Sequence, residues 1–158
     1  MKTKITFLLL LSLSLINCKQ AVKESPKSAE TQITTMETNQ DLHLNNDWVS
    51  EIALNNGIKW EANLETTTGV AAMSKLISES KTTSTEDYKR LGNALNEVKN
   101  TLVKECTMTG ASHDNLHVFL HPLIEKIELL QKTATTDEGV TIKNNISDHL
   151  EGYYTYFK

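Results

Sequence analysis

Ser84-Thr85-Glu86-Asp87-Tyr88-Lys89-Arg90-Leu91-Gly92-Asn93-Ala94-Leu95-Asn96-Glu97-Val98-Lys99-Asn100-Thr101-Leu102-Val103-Lys104-Glu105-Cys106 is the stretch on which the fold class turns. Tyr88, Leu91, Leu95, Val98, Leu102 and Cys106 recur at steps of three and four, with charged and amide side chains between them. That spacing describes a helix with one buried stripe and one solvated face. Ser84 stands where an N-cap hydroxyl can accept a backbone N–H bond, and Asp87 stands where a capping-box partner returns it.

The same period continues in both directions. Upstream, Asn63, Thr66, Val70, Met73 and Ile77 mark a helix over about 59–80, preceded by an Asn55-Asn56-Gly57 turn. Residues 48–54 suit either a short helix or an extended arm. Downstream, Leu116, Leu120, Leu123, Ile127 and Leu130 carry a third helix that Ser112 can cap. Pro122 predicts a kink there, or a helix that begins at the proline. Ile142, Ile146, His149, Tyr153 and Tyr156 carry a fourth, entered at Thr136 with Asp137 and Glu138 suited to a helix N-terminus. Short connections near 81–84, 107–111 and 132–136 require antiparallel neighbours. The expected fold is therefore all-α, an antiparallel up-down four-helix bundle over residues 47–158.

That topology gathers unusual residues at one end. The start of the first long helix, the end of the second, the start of the third and the end of the fourth share a pole, which holds Trp60, Asn63, Cys106, Met108, His113, His117 and Tyr153. The opposite pole carries ordinary core residues, among them Ile77, Tyr88, Leu91, Leu130 and Ile142. From the centre of the apolar face of the third helix, at 100° per residue, His113 lies about 60° away, His117 about 100° and His121 about 140°. Burial should decline in that order. His113 and His117, four residues apart on a helix, can chelate one metal ion, and Cys106 and Met108 add soft sulfur that favours Cu(I), then Zn(II).

Each of these residues also has a structural reading. Cys106 suits a small core side chain, Met108 a plug at a bundle end, and His113 a cap of the turn. Asn63 and Thr66 can satisfy backbone groups at a helix end, and Trp60 and Tyr153 can close the core. His121 and His43 read as solvated, and His149 as a hydrogen-bonded core histidine.

The chain begins with Lys2 and Lys4, an apolar stretch at 5–16, and Leu15-Ile16-Asn17-Cys18. Twelve apolar-rich residues are too few for a stable span and suit a signal-peptide core. The ending resembles the lipobox of bacterial lipoproteins, with Asn17 where a small residue is usual. The resemblance implies cleavage after residue 17, lipidation of Cys18, and a protein anchored in the cell envelope, at the outer membrane or the periplasmic face. Residues 18–46, rich in Lys, Glu, Ser, Thr and Gln, then read as a flexible tether. With Cys18 lipidated, Cys106 is the single remaining thiol of the two cysteines, so an internal disulfide is excluded.

Composition removes several classes. Without Lys2 and Lys4, 14 of the 16 basic residues remain against 20 acidic ones, a net charge of about −6 that disfavours nucleic acid. The six glycines form no phosphate-binding pattern. Leu54-Asn55-Asn56-Gly57-Ile58-Lys59-Trp60-Glu61-Ala62-Asn63 and the run Cys106-Thr107-Met108-Thr109-Gly110 to His113-Asp114 and Leu116-His117 are similar to a set of small uncharacterised bacterial exported proteins. The resemblance spans roughly residues 52–125. It implies no settled activity and identifies no metal.

Several functions fit. The leading one is a lipoprotein that senses, buffers or hands over copper or zinc through Cys106, His113 and His117, with Met108 as a soft fourth ligand. The alternative is a non-catalytic interaction or scaffold lipoprotein, with a protein partner, in which the same cluster is structural. An enzyme with a Cys106–His113 nucleophile and base lacks any candidate for an oxyanion-stabilising group, so no catalytic residue is assigned. A haem bundle using Met73 is a minor possibility without an attachment motif.

Overall fold

A computed structural model describes residues 44–158. The signal-type segment, Cys18, His43 and the tether as far as residue 43 fall outside the described residues. The described chain is all-α: α1 (Trp48–Glu51), α2 (Leu64–Glu79), α3 (Thr85–Glu105), α4 (Gly110–Lys132) and α5 (Thr136–Tyr156), with no strand among the described residues. Helix α2 packs on α3, α3 on α4, α4 on α5 and α5 back on α2, while α1 lies against α4. The apolar stripes meet in one core, in which Met73, Leu95, Leu102, Leu116, Leu123, Ile127 and Ile142 are fully buried. Each such side chain contributes about 1.5–3 kcal/mol on leaving water.

The capping box that starts α3 is present in full. The Asp87 N–H donates to Ser84 Oγ at 3.2 Å and the Ser84 N–H donates to Asp87 Oδ2 at 2.8 Å. Hydrogen bonds from the Ser84 hydroxyl and from Thr83 hold the Asp87 carboxyl well below the usual carboxylate range. Helix α3 also approaches α4 closely at Gly92, where a Cβ would stand 2.8 Å from the Gln131 backbone nitrogen. The Asn55-Asn56-Gly57 turn closes with paired bonds between Asn55 and Ile58 at 2.9 and 3.0 Å. Asn56 and Gly57 take the left-handed φ values of 50° and 83° that such a turn needs.

Two element boundaries differ from the sequence expectation. The first long helix starts at Leu64, not near 59, because residues 60–62 pair with the C-terminus. Trp60 N–H donates to Tyr156 O at 2.7 Å, Lys158 N–H to Trp60 O at 3.0 Å, and Ala62 N–H to Lys158 O at 3.1 Å. Backbone groups engaged in this way cannot also make helical bonds. Thr109, not Ser112, is the N-cap of α4, with Gly110 at φ 63° making the entry, and the Ser112 hydroxyl donates to Thr109 O at 3.2 Å. Helix α5 begins at Thr136, as the sequence suggests, and Thr135 caps it, its side chain accepting from Glu138 N–H at 3.2 Å. Helix α4 runs through Pro122 as one element, so a separate helix beginning there is not formed. Pro122 and Val118, the residue one turn earlier whose carbonyl loses its helical donor, are both only half-buried.

The folded region also begins before residue 47. Leu44 O accepts from Asn145 Nδ2, and Asn46 Oδ1 accepts from Lys126 Nζ at 2.7 Å. Residues 44–46, expected in the tether, are therefore seated on α4 and α5.

Candidate functional site

Helix α4 carries the densest set of chemically active side chains. His113, His117 and His121 lie one turn apart along one of its faces. His117 Nε2 stands 3.2 Å from His113 Nε2, and His117 Nδ1 stands 3.1 Å from His121 Nε2. The rings meet edge to face, with centroids 4.4 Å and 5.0 Å apart. His113 is half-buried and the other two are exposed, which follows the order of their angular distance from the apolar stripe. Partial burial, then the adjacent His113 and His121, lower the pKa of His117, with Asp114 opposing. The charged form of the central imidazole is therefore disfavoured.

The outer flank of this row opens on a cleft of about 480 Å³ between α1 and α4. His117 and His121 line it from α4, together with Glu125, and Asp47 and Glu51 line it from the α1 side over Trp48. Three carboxylates facing two imidazoles make a cleft suited to a cation.

The sulfur residues sit differently. Cys106 follows the last turn of α3 as its C-cap and is half-buried, and Met108 is a half-buried contact of the core edge. The hydrogen-bond partner of His113 is His117, and neither imidazole bonds Cys106 among the described residues. No group of three or more His, Cys, Asp or Glu side chains converges on one metal position among the described residues. Cys106, His113 and His117 therefore do not form a single preassembled three-ligand set. The reason is positional: an unwound segment at 106–109 separates the cysteine from α4.

Of Trp60, Asn63 and Tyr153, Asn63 reaches the end of α3. Asn63 Nδ2 donates to Glu105 O at 3.1 Å and so satisfies a carbonyl at the end of α3. Trp60 Nε1 donates to Ala53 O at 2.6 Å. Tyr153 is fully buried, its hydroxyl 3.0 Å from Thr67 Oγ1 and its ring stacked on Phe157 at 4.9 Å. Burial raises its phenol pKa. Tyr153 thus belongs to the core and Trp60 packs at its edge, while the hydrogen-bond partners of all three lie outside the imidazole row.

A second polar cluster lies inside the protein. Lys126 and His149 are both fully buried. The His149 Nε2–H donates to Phe119 O at 2.8 Å, which leaves Nδ1 to accept from Lys126 Nζ at 3.0 Å. Trp48 stacks on the same imidazole with centroids 4.6 Å apart. Burial, and then the Lys126 charge, push the His149 pKa down to about 3, and burial pushes Lys126 down to about 8 against the opposing field of Asp148. His149 is the hydrogen-bonded core histidine that its place on the α5 stripe suggests. Lys126 went unread, although Phe119, Leu123, Lys126 and Leu130 fall at helical steps that place it on the buried stripe.

Comparisons with protein-family models, with curated proteins and with solved structures found no match to this chain. No helix among the described residues is long and apolar enough to cross a membrane.

Proposed function

We propose that this chain is a bacterial envelope lipoprotein, anchored through lipid on Cys18, whose antiparallel up-down helical bundle binds a copper or zinc ion at the imidazole row of α4. The observation that carries the reading is the 3.2 Å separation of His113 Nε2 and His117 Nε2 on a helix face that solvent reaches. Two metal–nitrogen bonds of about 2.0–2.1 Å spanning that separation enclose an angle of roughly 100°, close to tetrahedral. The bite therefore favours Zn(II), and it suits two-coordinate linear Cu(I) only if Cys106 or Met108 moves in. The contact order α2–α3–α4–α5–α2 supports the bundle topology. The apolar 5–16 stretch and its lipobox-like ending support the anchor. With residues 18–43 as a spacer, the domain would stand off the membrane.

One observation favours the interaction or scaffold reading instead. An apolar groove of about 370 Å³ runs between α2 and α3, with Gly69, Val98 and Leu102 in its lining and Leu64 at 75% exposure on its edge. Exposed apolar area of this kind marks contact surfaces.

Titration of the reduced, purified chain with Zn(II) and Cu(I) against competing chelators separates the two. The metal reading expects one ion per chain, with Zn(II) binding kept and Cu(I) binding weakened in Cys106→Ala and Met108→Ala. Absence of binding to the wild-type chain leaves the interaction reading in place.

A further inference from the structure

The imidazole row consists of two ring-to-ring contacts that share His117. His117 meets His113 through Nε2 and His121 through Nδ1, at 3.2 and 3.1 Å. Both separations match the bite of a metal with ligands at about 2.0–2.1 Å. A neutral imidazole has a single unprotonated nitrogen, so His117 can serve one neighbour at a time. We propose, resting on the metal reading above, that α4 is a two-position metal track: a divalent ion occupies either His113/His117 or His117/His121, and His117 passes it between them.

The two positions differ in surroundings. The His117/His121 position faces the cleft that Asp47, Glu51 and Glu125 line, which offers three negative charges to the ion and its remaining waters. Among the described residues no third His, Cys, Asp or Glu completes a metal-holding group there, so these carboxylates act through charge and through metal-bound water. The His113/His117 position has Asp114 as its neighbouring carboxylate and lies toward the 106–109 segment. A divalent ion such as Zn(II) therefore settles at His117/His121. The exchange balances without redox change. With the ion on His117 Nε2 the ring proton sits on Nδ1. As the ion moves to Nδ1, that proton leaves to water and Nε2 takes one up, while His113 is released and His121 engaged.

This arrangement makes an unusual demand on single variants of the exposed ligands. Zn(II) binding to the full chain, measured by chelator competition, should give one ion per chain for the wild type, for His113→Ala and for His121→Ala, and none for His117→Ala. Glu51→Gln with Glu125→Gln should weaken binding roughly 10–100-fold in the His113→Ala background and leave the His121→Ala background unchanged, as expected of groups that support only one position. Nitrogen-15 NMR of the zinc complexes should show His117 metallated on Nδ1 in His113→Ala and on Nε2 in His121→Ala. Loss of binding in either outer variant while the wild type still binds would overturn the track and leave a single site. Two ions per wild-type chain would overturn the exclusivity. A wild-type chain that binds no zinc would instead remove the metal reading on which the track rests. Circular dichroism of each variant separates loss of ligand from loss of fold.

Discussion

Lys126 and His149 show how a single buried contact sets the response of the domain to pH. A buried ammonium without a carboxylate at hydrogen-bond distance is costly, and here a neutral imidazole and the Asn46 amide accept its protons. His149 is held neutral in the fold, with its pKa at about 3 against an ordinary 6.5. The folded state thus binds fewer protons than the unfolded state between those values. Its contribution is fully present above pH 6.5 and is lost as pH falls toward 3. Lys126, lowered from 10.5 to about 8, acts with the same sign in an alkaline window. Urea unfolding across pH should therefore show stability rising up to about 6.5, level to about 8, and rising again toward 10.5. His149→Phe keeps the stack on Trp48 but removes the acceptor. It should cost about 1–3 kcal/mol at pH 7 and less at pH 10, where Lys126 is neutral. An equal cost at both values would mean that the loss is one of packing alone. The buried stripe of α5 makes His149 readable from sequence. Its partner is not readable, because the Lys126–His149 contact joins two helices whose relative rotation no local pattern states.

At the scale of elements, α3 is the most legible part of the chain, because its period and its capping box agree. Ser84→Ala should cost about 1 kcal/mol through the lost N-cap bond, measured by thermal or urea unfolding. Gly92→Ala should cost about 1–3 kcal/mol although alanine favours helix, since its Cβ would meet the Gln131 backbone at 2.8 Å. A neutral or stabilising Gly92→Ala would show that α3 and α4 pack less closely than described. The stretch at 59–63 was misread because what keeps it extended is the C-terminus, nearly a whole chain away in sequence. The entry to α4 was misread for a local reason: Gly110 at positive φ makes the turn, and a serine two residues later resembles a cap without serving as one.

On the scale of the molecule, the arm at 44–53 ties the side that leads to residue 43 into the core. Trp48 is 5% exposed and touches Phe119, His149 and Tyr156, and a Cβ on Gly152 would stand 2.8 Å from its ring. Trp48→Ala should cost about 3–5 kcal/mol, and hydrogen exchange should show residues 44–52 released. The candidate site was partly legible: the imidazoles lie on α4, His113 less exposed than His117 and His121, with the i,i+4 spacing that chelation needs. Their extension through His121 to the carboxylate cleft was not, because α1 reaches α4 only by tertiary packing. Cys106 was read as sharing that site, since helical periodicity was carried one residue past the true end of α3 at Glu105.

The central claim is that α4 binds a metal through His117. Equilibrium dialysis of the reduced full chain and of His117→Ala against Zn(II) tests it most directly. The account expects one retained zinc per wild-type chain and none for His117→Ala at the same free zinc concentration. Equal retention by the two proteins, or none by either, would contradict it.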